Sequence, residues 1–194
     1  DIHELIRNNL ADRRTEQAEV YARLIDRLRA AGADCAAITS LGGHFCYDET
    51  VARSSLPLVS AVAPLDEFFL AEGIGCVGLL GTRVVMRTRL YGQLRRTRAV
   101  ALDDRIEELG QLYQEMAVAG RCSDGLRETF LAAGRSMVTD HGAEAVVLAG
   151  TDLNLAFDGQ ETPYRVIDAL DVHVALLADL ASGRASLDAV GLRS

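Results

Sequence analysis

There is no lysine anywhere in this chain, and all 20 basic residues are arginine. A Schiff base to pyridoxal phosphate or to a carbonyl substrate needs a lysine amine, and a phosphate-binding P-loop needs a lysine side chain. Neither chemistry can be carried by these residues. No segment approaches the roughly 18 uninterrupted apolar residues of a membrane-crossing helix, so no membrane partner is expected. Asp1 to Asn9 mix polar and apolar side chains and lack the pattern of a secretory leader. The net charge is −8 and no basic stripe is visible, so no nucleic-acid partner is expected. Arginines such as Arg23, Arg27 and Arg29 are spaced as on a solvated helix face. The four cysteines, Cys35, Cys46, Cys76 and Cys122, include no C-x-x-C pair, which removes zinc-ribbon and thioredoxin-like readings. Cys35 and Cys76 lie in apolar, strand-like runs, the usual setting of a reduced core thiol. That points to a reducing, cytoplasmic compartment.

What is present is an ordinary globular composition: 49% hydrophobic and 25% charged residues over 194 positions, enough for one large core or two smaller ones. From Thr15 to Ala31 the apolar positions Ala18, Tyr21, Ala22, Leu24, Ile25 and Leu28 have helical spacing, closed by Gly32. The run Cys35-Ala36-Ala37-Ile38 reads as a strand buried on both faces, followed by the loop Thr39-Ser40-Leu41-Gly42-Gly43. Further strands are expected at 56–62, at Cys76–Leu80 and at Ala145–Leu148, with a short one near Arg98–Leu102. Helices are expected at about Val84–Leu94, Ile106–Ala119, Gly125–His141 and Val172–Leu180. This alternation is the pattern of an open, mostly parallel α/β sheet. The chain also echoes itself: Gly32-Ala33-Asp34-Cys35-Ala36-Ala37-Ile38-Thr39-Ser40 parallels Gly142-Ala143-Glu144-Ala145-Val146-Val147-Leu148-Ala149-Gly150. The echo suggests two related halves with equivalent strand ends at Ser40 and Gly150. In such sheets ligands bind beyond the carboxyl ends of the strands.

Four segments, in order, resemble the aspartate/glutamate racemase family. They are Ala30-Ala31-Gly32-Ala33-Asp34 through His44, Val77-Gly78-Leu79-Leu80-Gly81-Thr82, the run from Gly142 through Asp152, and the closing Asp168-x-x-x-x-His173. The resemblance covers most of the chain. It implies two pseudo-symmetric, mostly parallel three-layer α/β halves with a cleft between them. Residues 1–72 with 172–194 would form the first half and 73–171 the second. Family members open with a strand, a Gly-rich loop and a helix, none of which precedes Asp1 here, so the first half is expected to be N-terminally incomplete. The family racemises without a cofactor, and homodimers are usual in it. One thiolate removes the substrate α-proton and a second thiol returns one on the opposite face, while donors stabilise the enediolate.

In this sequence the two thiol positions fall on Ser40 and Gly150. A serine hydroxyl is far less acidic than a thiol, and glycine transfers no protons. The acid/base groups must therefore be sought elsewhere. Asp152 is either a general base or a helix N-cap, and His173 has a pKa range suited to proton transfer. Cys46 is either a displaced acid/base or a buried structural thiol. Ser40 is either a substrate donor or simply a small residue at a strand end. For substrate binding the resemblance offers Thr151 and Thr82, the Gly42-Gly43 amides as a carboxylate-binding turn, and His44 as a donor. Tyr91 matches another position near the family's ligand. One of Arg83, Arg87 and Arg89 is available to an acidic group, with a surface role as the alternative for each. No metal is expected, because the spacing of His44, Cys46, Asp152 and His173 matches no recognised site. The expected activity is a cofactor-independent, racemase-type isomerisation of a small amino acid or carboxylate. The alternatives are a lyase or decarboxylase of the same superfamily and a carboxylate-binding pseudoenzyme.

Overall fold

A computed structural model describes residues 2–190. The chain divides into two compact units: residues up to Ala61 together with those from Val174 onward, and Val62–His173. No helix among the described residues is long and apolar enough to cross a membrane.

The larger unit is built on a four-stranded, wholly parallel sheet of order β4-β3-β5-β6, comprising β3 (Cys76–Gly81), β4 (Arg98–Val100), β5 (Ala145–Ala149) and β6 (Val166–Asp168). All residues of β3 and β5 are buried, as continuous apolar runs predict for strands covered on both faces. Leu109, Tyr113 and Met116 recur at helical spacing along α6 (Ile106–Ala119), and Phe130, Ala133 and Met137 along α7 (Asp124–Thr139). They form one core with Cys76, Leu80, Val146 and Leu148 of the sheet. Each such Leu, Phe or Met contributes about 1.5–3 kcal/mol by leaving water. Ser123 caps α7 by accepting the Leu126 amide at 3.4 Å.

Two carboxylates, the exposed Glu144 and the buried Asp66, organise the strand entries. Glu144 Oε1 accepts the amides of Gly75 and Cys76, both at 3.0 Å, where β3 begins. Asp66, on α4 (Ala63–Ala71), accepts the amides of Arg95, Arg96 and Thr97 at 2.8, 3.0 and 3.0 Å just before β4. Burial pushes the Asp66 carboxyl up, but the hydrogen bonds from Thr97, Arg95 and Arg96 outweigh it and hold the group below its ordinary value.

The smaller unit holds α1 (Ile2–Leu10), α2 (Arg14–Ala30), β1 (Ala36–Ala37), α3 (Tyr47–Val51) and β2 (Leu58–Val59). The two short strands are parallel, with Ala36 opposite Leu58 and Ala37 opposite Val59. Ile25, Ala36, Ile38 and Leu58 form the core here, with Tyr21, Tyr47, Val51 and Leu56 packed against it. The α2 helix ends as expected: Gly32 takes φ +92, and the Ala33 amide returns to the Leu28 carbonyl at 3.1 Å.

The α/β class and the parallel sheet match the sequence reading, and several boundaries differ from it. The strand expected at 56–62 shortens to Leu58–Val59, while α1, α4 and β6 had no sequence signal that singled them out. The helix expected to reach Leu94 ends at Thr88, as α5 (Arg83–Thr88). Three non-glycine residues in succession, Arg89, Leu90 and Tyr91, then take positive φ of 53, 55 and 60°, followed by Gly92 at 65°. Each left-handed L-residue costs about 1–2 kcal/mol, offset here by local bonds. The Thr88 hydroxyl donates to the Val84 carbonyl at 2.7 Å and accepts the Tyr91 amide at 2.9 Å. The last helix, α9 (Ala169–Ala181), which comes after the single turn α8 (Asn154–Phe157), begins earlier than expected because the Asp168 carboxylate accepts the Leu170 amide at 2.8 Å.

Candidate functional site

Because the large sheet is parallel, the carboxyl ends of β3, β5 and β6 lie at one edge, with Gly81 opposite Ala149 and Leu148 opposite Asp168. The segments leaving that edge carry Thr82, then Gly150-Thr151-Asp152, then Asp168 and α9 with His173. Open parallel sheets bind ligands at such edges.

Gly150 has φ −172 and ψ 125, extended geometry that any residue can adopt. Space, not backbone, requires glycine there. A Cβ at position 150 would stand 2.6 Å from the Tyr113 hydroxyl and 2.7 and 2.8 Å from its ring carbons Cζ and Cε2. The Tyr113 side chain is buried, and its Oη donates to Asp152 Oδ2 at 3.0 Å. Burial and then the Asp152 charge push the phenol well above its ordinary value, so it holds its proton. Asp152 is half-buried and Thr151 is exposed.

His173 is 3% exposed. Burial lowers its pKa, favouring the neutral ring. Its Nε2 and the Asn154 Oδ1 are buried with no hydrogen-bond partner among the described residues. The Asn154 side chain also hydrogen-bonds to Asp168 in a way that favours the carboxylate, which assigns the amide nitrogen to that bond and leaves the oxygen as the unmatched atom. Asp168 is nonetheless raised overall, chiefly by burial. Thr82 caps α5 by accepting the Val85 amide at 3.3 Å.

The arginines after β3 are held by the protein itself. Arg83 Nε pairs with Glu107 at 3.2 Å and its guanidinium also reaches Gln111 and Gln114. Arg87 pairs with Glu107, and Arg89 pairs with Asp103 at 2.6 Å.

In the smaller unit, β1 leads into the loop that begins at Thr39 and a 3₁₀ turn, Leu41–Cys46. Ser40 is exposed, and its carbonyl accepts the Gly43 amide at 3.0 Å. The Gly42 carbonyl accepts from Asn9 Nδ2 at 2.9 Å. A Cβ on Gly43 would stand 2.7 Å from Ile38 Cγ2 and collide with the Tyr21 hydroxyl, so this glycine serves close packing. His44 is fully buried and stacks on Tyr47 at 5.5 Å between ring centroids. Its Nδ1 bonds the Ser40 carbonyl and its Nε2 accepts the Ala61 amide, both at 3.0 Å. Both ring nitrogens are thus engaged by backbone. Cys46 is fully buried, with Sγ 3.7 Å from the Gly43 carbonyl and from Thr50 Oγ1. Burial pushes its pKa up to about 11, the opposite of an activated thiol. All four cysteines are free. Among the described residues no three His, Cys, Asp or Glu side chains gather as a metal ion requires.

Tyr113, Asn154 and Asp168 were not among the site residues expected from sequence. Tyr113 follows Leu109 at a core-helix interval, so its spacing reads as packing, and its bond to Asp152 joins residues 39 positions apart. The sequence hint was indirect: a glycine stands where the resemblance places a reactive side chain.

The family model for Asp/Glu/hydantoin racemases matches residues 2–177. Among solved structures, the chain is similar to a candidate Asp/Glu racemase from Yersinia pestis, with 22% identity, a TM-score of 0.83, and coverage of 94% of this chain and 81% of that one. It is also similar to an aspartate racemase homologue from Pyrococcus horikoshii, with 25% identity, a TM-score of 0.73, and coverage of 85% and 74%. Aspartate racemase from Picrophilus torridus follows at 18% identity and a TM-score of 0.65, covering 84% and 68%. No curated protein gave a significant sequence match.

Proposed function

This chain belongs to the Asp/Glu/hydantoin racemase family, and on that premise we propose that it is a cofactor-independent, racemase-type isomerase. Its substrate is a small amino acid or related carboxylate, and its acid/base groups are not paired thiols. The observation that carries this reading is the unmatched pair of buried polar atoms, His173 Nε2 and Asn154 Oδ1, on the segments that follow β5 and β6. An unsatisfied buried polar group costs about 1–3 kcal/mol, and a ligand with one donor and one acceptor relieves both. An α-amino acid has that pattern: its carboxylate accepts from a protonated ring nitrogen, and its ammonium donates to an amide oxygen.

In this reading Thr151 and Thr82 supply further donors from the strand ends, and Asp152 is the carboxylate that stores the transferred proton. In the smaller unit Ser40 is exposed, while the Gly43 amide already donates to the Ser40 carbonyl, so a carboxylate-binding role for that amide is not kept. His44 and Cys46 are assigned structural roles, since both His44 nitrogens are bonded to backbone and the Cys46 thiol is buried and hard to ionise. Cytoplasmic location and a homodimer belong to the same proposal; light scattering on the purified chain tests the latter.

One observation favours the lyase reading as second choice. With His44 and Cys46 committed, the loop after β1 is left with the exposed hydroxyls of Thr39 and Ser40, which are poor proton acceptors. A decarboxylation needs a proton on one face only, whereas racemisation needs transfer on both.

The test is to incubate the full chain with each enantiomer of aspartate, glutamate and alanine in deuterated water and to follow the α-proton by NMR. Signal loss with appearance of the other enantiomer supports the racemase reading. Exchange with retention of configuration, or carbon dioxide release from a malonate-type substrate, moves the assignment to one-sided chemistry. Calorimetric binding with no exchange and no decarboxylation makes the chain a carboxylate-binding pseudoenzyme.

A further inference from the structure

Position 150 is where the resemblance places the family's second thiol, and here it carries no side chain. The volume is not empty. The Tyr113 hydroxyl stands 2.6 Å from where a Cβ would be, closer than real Cβ contacts come, so Tyr113 can take this position only because residue 150 has no side chain. The substitution therefore removes one protic side chain and admits another. The incoming group is a phenol bonded to a carboxylate, Asp152, at 3.0 Å.

We propose that Tyr113 and Asp152 together replace the second thiol, with the phenol as the catalytic residue that exchanges a proton with the substrate carbon and Asp152 as the positioning residue that stores it. This rests on the racemase-type reading above. Acting as base, the Tyr113 oxygen receives the substrate α-proton while its own proton passes along the existing hydrogen bond to Asp152. The Cα–H bond and the old Oη–H bond break, and a new Oη–H bond and an Asp152 O–H bond form. The electron pair left on carbon is held as the enediolate. In the other direction the same two protons move back, the phenol protonates carbon and Asp152 returns to carboxylate. No phenolate accumulates at any stage. That is consistent with a buried phenol beside a negative charge, which holds its proton tightly. A lone buried tyrosine without Asp152 would have to carry the charge itself.

The same geometry accounts for two sequence features together. Asp152 stands two residues past Gly150, so the turn Thr151–Leu153 brings its carboxylate back toward the phenol. Tyr113 is held in α6 by its core neighbours, so the phenol oxygen is fixed while its proton is shared.

The test uses the full chain and the deuterium-exchange assay with both enantiomers of aspartate, glutamate and alanine. Tyr113→Phe keeps the ring and its packing and removes only the hydroxyl. It is expected to fold with near-wild-type Tm, to bind the same amino acid by calorimetry, and to lose exchange by about a hundredfold to ten-thousandfold, the usual worth of a general acid/base. Asp152→Asn is expected to lose a comparable factor in kcat with little change in KM, and Tyr113→Phe/Asp152→Asn to be scarcely slower than either alone. The phenolate absorbance that Tyr113→Phe removes should appear at lower pH in Asp152→Asn than in wild type, because the opposing charge is gone. Wild-type exchange with unimpaired exchange by Tyr113→Phe overturns the inference and leaves the racemase reading standing. No wild-type exchange with any of these amino acids removes the reading and the inference with it. In that case Gly150→Ala destabilising the fold, with rescue by Tyr113→Ala, would show packing alone.

Discussion

His44 Nε2 accepts the backbone amide of Ala61 at 3.0 Å. Because that nitrogen is an acceptor, the ring proton sits on Nδ1 and is donated to the Ser40 carbonyl at 3.0 Å. One imidazole thus joins the loop after β1 to the chain just beyond β2.

Replacing His44 with alanine removes both bonds, strands the Ala61 amide and leaves a cavity. The expected cost is about 2–4 kcal/mol of folding stability, read from urea unfolding. A loss under about 0.5 kcal/mol, together with weakened amino-acid binding, would instead mark His44 as a ligand contact.

Cys46 is expected to resist iodoacetamide in the native protein near pH 8, while the denatured chain reacts at all four cysteines. Burial raises its pKa from 9.0 to about 11, so the folded state holds the thiol proton more tightly than the unfolded state. The resulting stability is fully present below 9.0 and is lost as pH rises toward about 11. Cys46→Ala should flatten the fall in stability across that window. Rapid native labelling of Cys46, found by peptide mapping, would count against a structural thiol.

Asp66 has the opposite linkage. Its folded pKa is lowered below 3.8, so its contribution is present above that value and disappears as pH falls through the folded pKa. Asp66→Asn is expected to cost about 1.5–3 kcal/mol at neutral pH and to lose the part of acid denaturation that Asp66 causes. An unchanged acid transition in the variant would show that the three amide bonds do not govern it.

Two glycines should respond in opposite directions to alanine. A Cβ at Gly81 would lie 2.6 Å from the Ala149 backbone carbonyl oxygen, inside the paired strands, and the backbone cannot yield without disturbing the β3–β5 ladder. Gly81→Ala should cost about 1–3 kcal/mol. Gly125, in the first turn of α7, has nothing within 4 Å of its Cβ position. Gly125→Ala should stabilise by about 0.4–1 kcal/mol. Thermal unfolding of the two variants side by side decides the ordering.

Much of the fold was legible because its signals are local. Cys76–Leu80 and Ala145–Leu148 are continuous apolar runs, and they form the buried centre of the sheet, while Ile106–Ala119 carries its apolar stripe at helical spacing and is a helix over those residues. The turn at Arg89-Leu90-Tyr91 was not legible, because none of the three is a glycine and nothing local announces a left-handed run. It is held by Thr88 hydroxyl bonds that exist only once α5 has formed. The short strands β1 and β2 were overestimated for a related reason: apolar character persists past the residues that pair.

The candidate site divides along the same line. By itself the sequence excluded lysine chemistry, since no lysine is present, and put Ser40 and Gly150 at the positions that the resemblance assigns to the two thiols. It also placed Thr82, Thr151 and Asp152 just past strand ends of the large sheet, and Ser40 in the loop after β1, because a parallel α/β pattern puts the residues after the strands of a sheet at one edge of that sheet. Only the tertiary structure decided what each polar side chain is left to do. Backbone hydrogen bonds, one to the nearby Ser40 carbonyl and one from the Ala61 amide, occupy both nitrogens of His44, burial withholds the Cys46 thiol, and a helix remote in sequence brings the Tyr113 phenol into the space that Gly150 leaves. Burial and partnership depend on the whole packed chain, and no local pattern of residues encodes them.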